Sequence, residues 1–122
     1  MENENVTIYL RVLGYREPDS TWAAHCLETD LVGYGNNFES ALRNLQELTE
    51  MQISFALYKK QPALLDRPAP PEIFEVYNSI FRSCLQQSPE CNKLKHKRQV
   101  TSIPWPKNIS GSDFALAQML SS

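Results

Sequence analysis

From Asn37 to Lys60 the sequence returns apolar residues at helical intervals. Phe38, Ala41, Leu42, Leu45, Leu48, Met51, Phe55 and Ala56 recur at steps of three and four, which in an α-helix places them along one side. Arg43, Asn44, Glu47 and Glu50 fall on the other side. Asn37 is suited to cap the helix start, and Glu39 lies where the helix dipole favours an anion. Lys59 and Lys60 suit the opposite end, and Pro62 cannot continue a helix. The pattern predicts a helix of about six turns with a single apolar stripe. Such a stripe must be packed against something, and the segments before it read as strands.

Val6, Ile8, Leu10 and Val12 alternate with Thr7, Tyr9, Arg11 and Leu13. That period of two predicts a half-buried strand from Val6 to Leu13. Gly14 to Thr21, with Pro18-Asp19-Ser20, is turn chemistry. Trp22 to Leu27 resumes an extended pattern, so the first two strands are expected to form an antiparallel hairpin. Glu28-Thr29-Asp30 makes the next turn and Leu31 to Tyr34 a short third strand. Gly33 and Gly35 mark a bulge or a close backbone approach there.

After the long helix, residues 61–71 hold Pro62, Pro68, Pro70 and Pro71 and read as a stiff, extended connector. A second helix begins at Pro71-Glu72 and stops at Ser88-Pro89. Ile73, Phe74, Val76, Tyr77, Ile80, Phe81, Cys84 and Leu85 give it a broad apolar face. A small domain has limited core in which to hide so many. The face therefore either caps the open side of the sheet or meets another protein, which makes Phe74, Tyr77 and Phe81 interface candidates. Gln99 to Trp105, followed by Pro106, reads as an edge strand, and Asp113 to Leu120 as a last short helix. The expected class is α+β: a small, mainly antiparallel sheet, a long helix on one face, and an extra second helix. Residues 1–60 form the core and 61–71 the connector. Residues 72–122 pack on that core or on a second subunit, as in a homodimer.

At 122 residues the chain is sized for one domain. It has no apolar run near the roughly 20 residues a bilayer helix needs, so no membrane is expected. The start, Met1-Glu2-Asn3-Glu4-Asn5, lacks the features of a secretory signal. With an odd set of cysteines, Cys26, Cys84 and Cys91, the expectation is reduced thiols in a cytoplasm. A net charge of −2 argues against general coating of nucleic acid. The basic run Lys93 to Arg98 nevertheless offers Lys95, Lys97 and Arg98 for phosphate contact, with a solvated loop as the plainer meaning.

No convincing active site stands out. Cys26 beside His25 suggests a nucleophile and base, but neighbours on a strand point to opposite faces. Asp19, Glu28 and Asp30 are the acids a two-metal nuclease would use, yet they sit in turns, which acids favour for other reasons. Cys84, Cys91 and His96 are zinc-type residues without paired spacing or a fourth ligand. Trp105, framed by prolines, suits either stacking or packing on the core. Neither a metal nor a cofactor is expected.

The order Trp22-Ala23-Ala24-His25-Cys26, Gly33-Tyr34-Gly35 and Glu39-Ser40-Ala41-Leu42 resembles the N-terminal domain of HicB-like antitoxins, over about residues 9–56. The resemblance implies a partial RNase H-like β-β-β-α-β fold. It also implies a non-catalytic partner that neutralises a small HicA-like mRNA interferase by covering its active surface. In that setting Trp22 and His25 would join the interface candidates, His25 as a sheet residue near the surface. Many HicB-like proteins add a helix-turn-helix or ribbon-helix-helix that binds operator DNA; the segment after Pro89 fits neither. The alternatives are an orphan HicB-like homo-oligomer that binds nucleic acid through residues 93–98, and a degenerate RNase H-like metal-dependent nuclease.

Overall fold

The computed structural model describes residues 9–86 and 97–104. Strand β1 (Tyr9–Arg16), β2 (Trp22–Cys26) and β3 (Val32–Gly35) lead into helix α1 (Phe38–Lys59). A 3₁₀ turn (Pro62–Leu64), helix α2 (Pro71–Leu85) and strand β4 (Arg98–Pro104) follow. The four strands make one antiparallel sheet in the order β3-β2-β1-β4, so the class is α+β as expected. β4 is an edge strand, as its terminal Pro104 favours. Val6, Ile8, Trp105 and the helix expected at 113–120 lie outside the described residues.

β1 is buried on both faces, where the alternation predicts only one. Leu10 and Val12 face α1 together with Ala24, Cys26 and Ile103. Leu13 faces α2 together with Leu27, Tyr77 and Ile80. α2 thus covers the side of the sheet that α1 leaves open, and the sheet lies between two helices. β1 also runs on through Gly14, Tyr15 and Arg16, residues that read as the start of a turn. A side chain at Gly14 would collide with the Phe38 ring, which occupies that space. Phe38 in turn lies 5.8 Å from Trp22, centroid to centroid. The missing side chain on β1 is therefore supplied by the first residue of α1.

α1 starts where Asn37 predicts, its side chain accepting a bond from the Ser40 amide at 2.8 Å. It stops at Lys60, which adopts the left-handed conformation (φ 54°) and donates to the Ala56 and Leu57 carbonyls. The single apolar stripe does not survive. The buried positions are Ala41, Leu45, Thr49, Ile53 and Ala56, while Met51 and Phe55 lie in solvent. Thr49 is tolerated inside because its hydroxyl donates to the Leu45 carbonyl at 2.7 Å.

The connector is not simply extended. Its 3₁₀ turn lets Leu65 pack on Ile53 and Ala56, and the Ala69 amide then bonds the Leu27 carbonyl at 2.8 Å. The chain passes by this route from the α1 face to the α2 face. Reduced thiols, expected throughout, are found at Cys26, which is free and buried. Cys84 instead is disulfide-bonded.

Burial pushes the Cys26 thiol above its usual value of 9.0. Its contribution to stability is then full below that value and declines as the pH rises through the raised folded value. The unfolding free energy from urea titration is expected to fall above pH 9.0, by at most about 1.4 kcal/mol per pH unit from this group. Cys26→Ala should flatten the first part of that decline; an unchanged slope would contradict the assignment.

Candidate functional site

The turn acids do not converge. Asp19 accepts from the Thr21 amide at 3.0 Å in an exposed loop, and that bond holds its carboxyl below the usual range. Glu28 accepts twice from Arg11, from the amide at 2.8 Å and from Nε at 2.7 Å. The Arg11 guanidinium also lies 5.2 Å from the Phe74 ring centroid and 6.0 Å from that of Tyr77. It therefore fastens α2 to the sheet. Among the described residues, no three His, Cys, Asp or Glu side chains gather where they could hold a metal ion. Cys84 belongs to the disulfide, and Cys91 and His96 lie outside the described residues.

His25 is not a surface residue. It is 7% exposed, on the α2 face of the sheet beside Tyr15. A carboxylate can only accept, so the 2.5 Å contact to Asp30 puts the imidazole proton on Nε2. Nδ1 is buried without a partner among the described residues. Asp30 reaches this position from the left-handed region (φ 60°) at the tip of the β2–β3 turn. Its pairing with His25 ties that turn to β2, and Cys26 points to the opposite face. The residues thus form a structural pair, with no thiol available to them.

Of the other interface candidates, Trp22 packs on the core beside Phe38, and Phe74 and Tyr77 pack on β1. Burial raises the Tyr77 phenol above its ordinary value. These contacts cap the sheet, which accounts for most of the broad α2 face. Two residues are left over at its far end. Phe81 is 46% exposed, stacked on Tyr77 with ring centroids 6.2 Å apart, and Leu85 is exposed beyond it.

The more extensive uncovered surface lies on α1. Met51, Phe55 and Tyr58 are 68%, 49% and 81% exposed, and half-buried Leu48 continues their line. The four sit about 120° around the helix from the buried row, by the 3.6-residue turn. The Lys59 ammonium is 5.8 Å from the Phe55 centroid and 5.9 Å from that of Tyr58, so the two rings are neighbours. The sequence displayed these residues but not their facing, because rows on adjacent sides of a helix merge into one broad stripe when counted by spacing.

Lys97 and Arg98 do meet other functional types. With Arg16, Glu17 and Tyr15 they rim a groove of about 500 Å³ between β1, β4 and α2, floored by Leu13, Ile73 and Val76. Desolvation raises the Tyr15 phenol above its ordinary value, aided by Tyr34, Glu17 and Asp30. Lys95 lies outside the described residues. Among the described residues, no helix is long and apolar enough to cross a membrane. No family model, curated protein or solved structure matches the chain.

Proposed function

We propose that the chain is a non-catalytic protein-binding domain that acts as a HicB-type antitoxin, covering the RNA-facing surface of a small HicA-like mRNA interferase. The observation that carries this reading is the pair of apolar patches exposed among the described residues, Met51, Phe55 and Tyr58 on α1 and Phe81 and Leu85 on α2. Uncovered apolar surface of this kind marks a protein interface far more often than a site of chemistry. The strand-strand-strand-helix order supports the HicB-like, partial RNase H-like assignment, with α2 as an addition before the last strand. The separate engagement of Asp19, Glu28 and Asp30 favours a binder over a metal-dependent nuclease.

The test is an RNA-cleavage assay with a small HicA-like interferase encoded beside this chain. An equimolar amount of the chain is expected to stop cleavage, and Phe81→Glu to require at least about tenfold more protein, since it places a charge in a desolvated contact. Failure of the wild-type chain to inhibit would remove the antitoxin reading. Mg²⁺-dependent cleavage by the chain alone, lost in Asp30→Ala, would put the nuclease in its place.

A second reading has its own observation: Arg16, Lys97 and Arg98 surround Tyr15 at one groove, as a phosphate-and-base site would. It predicts a salt-dependent gel shift with single-stranded RNA that Lys97→Gln with Arg98→Gln abolishes.

A further inference from the structure

We infer that the uncovered row on α1 is the seam of a two-fold, antiparallel pairing between two copies of this chain. Leu48 of each copy packs against the other copy's Tyr58, and Met51 against the other copy's Phe55. The inference rests on the protein-binding reading above and names the occupant of one of its two surfaces, leaving Phe81 and Leu85 for a different protein.

Spacing is the first argument. Leu48, Met51, Phe55 and Tyr58 are separated by three, four and three residues, the a/d rhythm of helices that pack along a narrow seam. That series reads the same from either end. A copy turned through half a revolution therefore presents the same residues at the same heights, which is what a closed, isologous contact demands. A seam shaped for an unrelated helix has no need of this symmetry.

Charge decides the direction. Glu47 and Glu50 flank the early half of the row, and Lys59 and Lys60 follow its end. Arg43, a turn earlier, is turned back to the Ser40 hydroxyl at 3.3 Å. An antiparallel copy brings each acidic half beside the other's basic end, whereas a parallel copy sets like charges together. Lys59 already lies over Phe55 and Tyr58, so its stem flanks the seam and its ammonium remains at the wet rim. The buried row stays on the sheet, so pairing costs the fold nothing.

Four residues a side make a small interface, so association is expected to be weak and concentration-dependent. Light scattering at protein concentrations on the order of 100 μM should therefore find a dimer that dissociates on dilution. Phe55→Glu is expected to raise its dissociation constant about 30-fold or more while leaving the circular dichroism melt intact, as loss of a central apolar anchor does. Direction is read by oxidation of Leu48→Cys and Tyr58→Cys chains. In the antiparallel pair two copies of Leu48 stand about 15 Å apart along the axis, too far for a disulfide, so only the mixture should cross-link. Cys26 is buried and does not compete. A monomeric wild type, cross-linking of either variant alone, or a dimer indifferent to Phe55→Glu would each overturn the pairing. A monomer that still silences the interferase would sink the pairing and leave the protein-binding reading standing. A dimer without inhibition would do the reverse.

Discussion

Gly33→Ala is expected to destabilise the chain by about 3 kcal/mol or more, at the upper end of what overpacking costs. A methyl at that position would press on the Leu45 amide nitrogen, and would lie 2.6 Å from the Ala41 carbonyl oxygen and 2.7 Å from the Leu45 Cα. All three are backbone atoms of α1, so no side chain can swing aside. Relief requires the helix to lift from β3, and that lift would loosen the Leu45 and Ala41 contacts that hold α1 to the sheet. Against a total of roughly 5–15 kcal/mol for a domain, the loss would leave a substantial unfolded fraction on mild heating. Gly33 does not have a positive φ; closeness of the two backbones, not conformational freedom, demands glycine. The measurement is a urea midpoint against wild type, and a change of less than about 1 kcal/mol, in the range of well-tolerated core swaps, would mean the helix sits further away.

Ile53→Ala is expected to cost about 3 kcal/mol, and Phe55→Ser within about 0.5 kcal/mol of nothing. Both residues are large and apolar, two positions apart in one helix. Ile53 is fully buried against Ala56 and Leu65, at the point where the connector begins its crossing. Its truncation leaves a cavity that the 3₁₀ turn cannot collapse into without pulling Ala69 from Leu27. Phe55 is in solvent and gives up little when shortened. The comparison must be made by urea unfolding in dilute protein, where association does not contribute. Equal losses at the two positions would mean that α1 is rotated from the orientation described.

Elements with strong local signals were legible in the residues. Asn37, Glu39, Lys60 and Pro62 bound α1 within a residue of its ends, because caps and proline act on the nearest few peptide groups. The turn at Pro18-Asp19-Ser20 and the edge position of β4 followed from equally local chemistry. Gly14 misled, since its strand conformation depends on Phe38, twenty-four residues on, filling the space above it. His25 was expected near the surface. It is buried instead beside Tyr15, a residue of the neighbouring strand that does not adjoin it in the chain. The acids at 19, 28 and 30 look like a set on paper, but each had a nearer partner in Thr21, Arg11 or His25.

The residues alone determined where α1 starts and stops, which of the described segments are strand and helix apart from the run of β1 through Gly14 to Arg16, and that the sheet is mainly antiparallel, since each of these depends on interactions within a few positions. Only the tertiary structure decided which side of α1 meets the sheet and that α2 covers the opposite face. Periodicity measures how apolar residues are spaced around an axis, but the direction that axis faces is set by packing against distant segments. On this chain that choice separates Ile53 from Phe55, and so separates the core from the surface on which its function is proposed to rest.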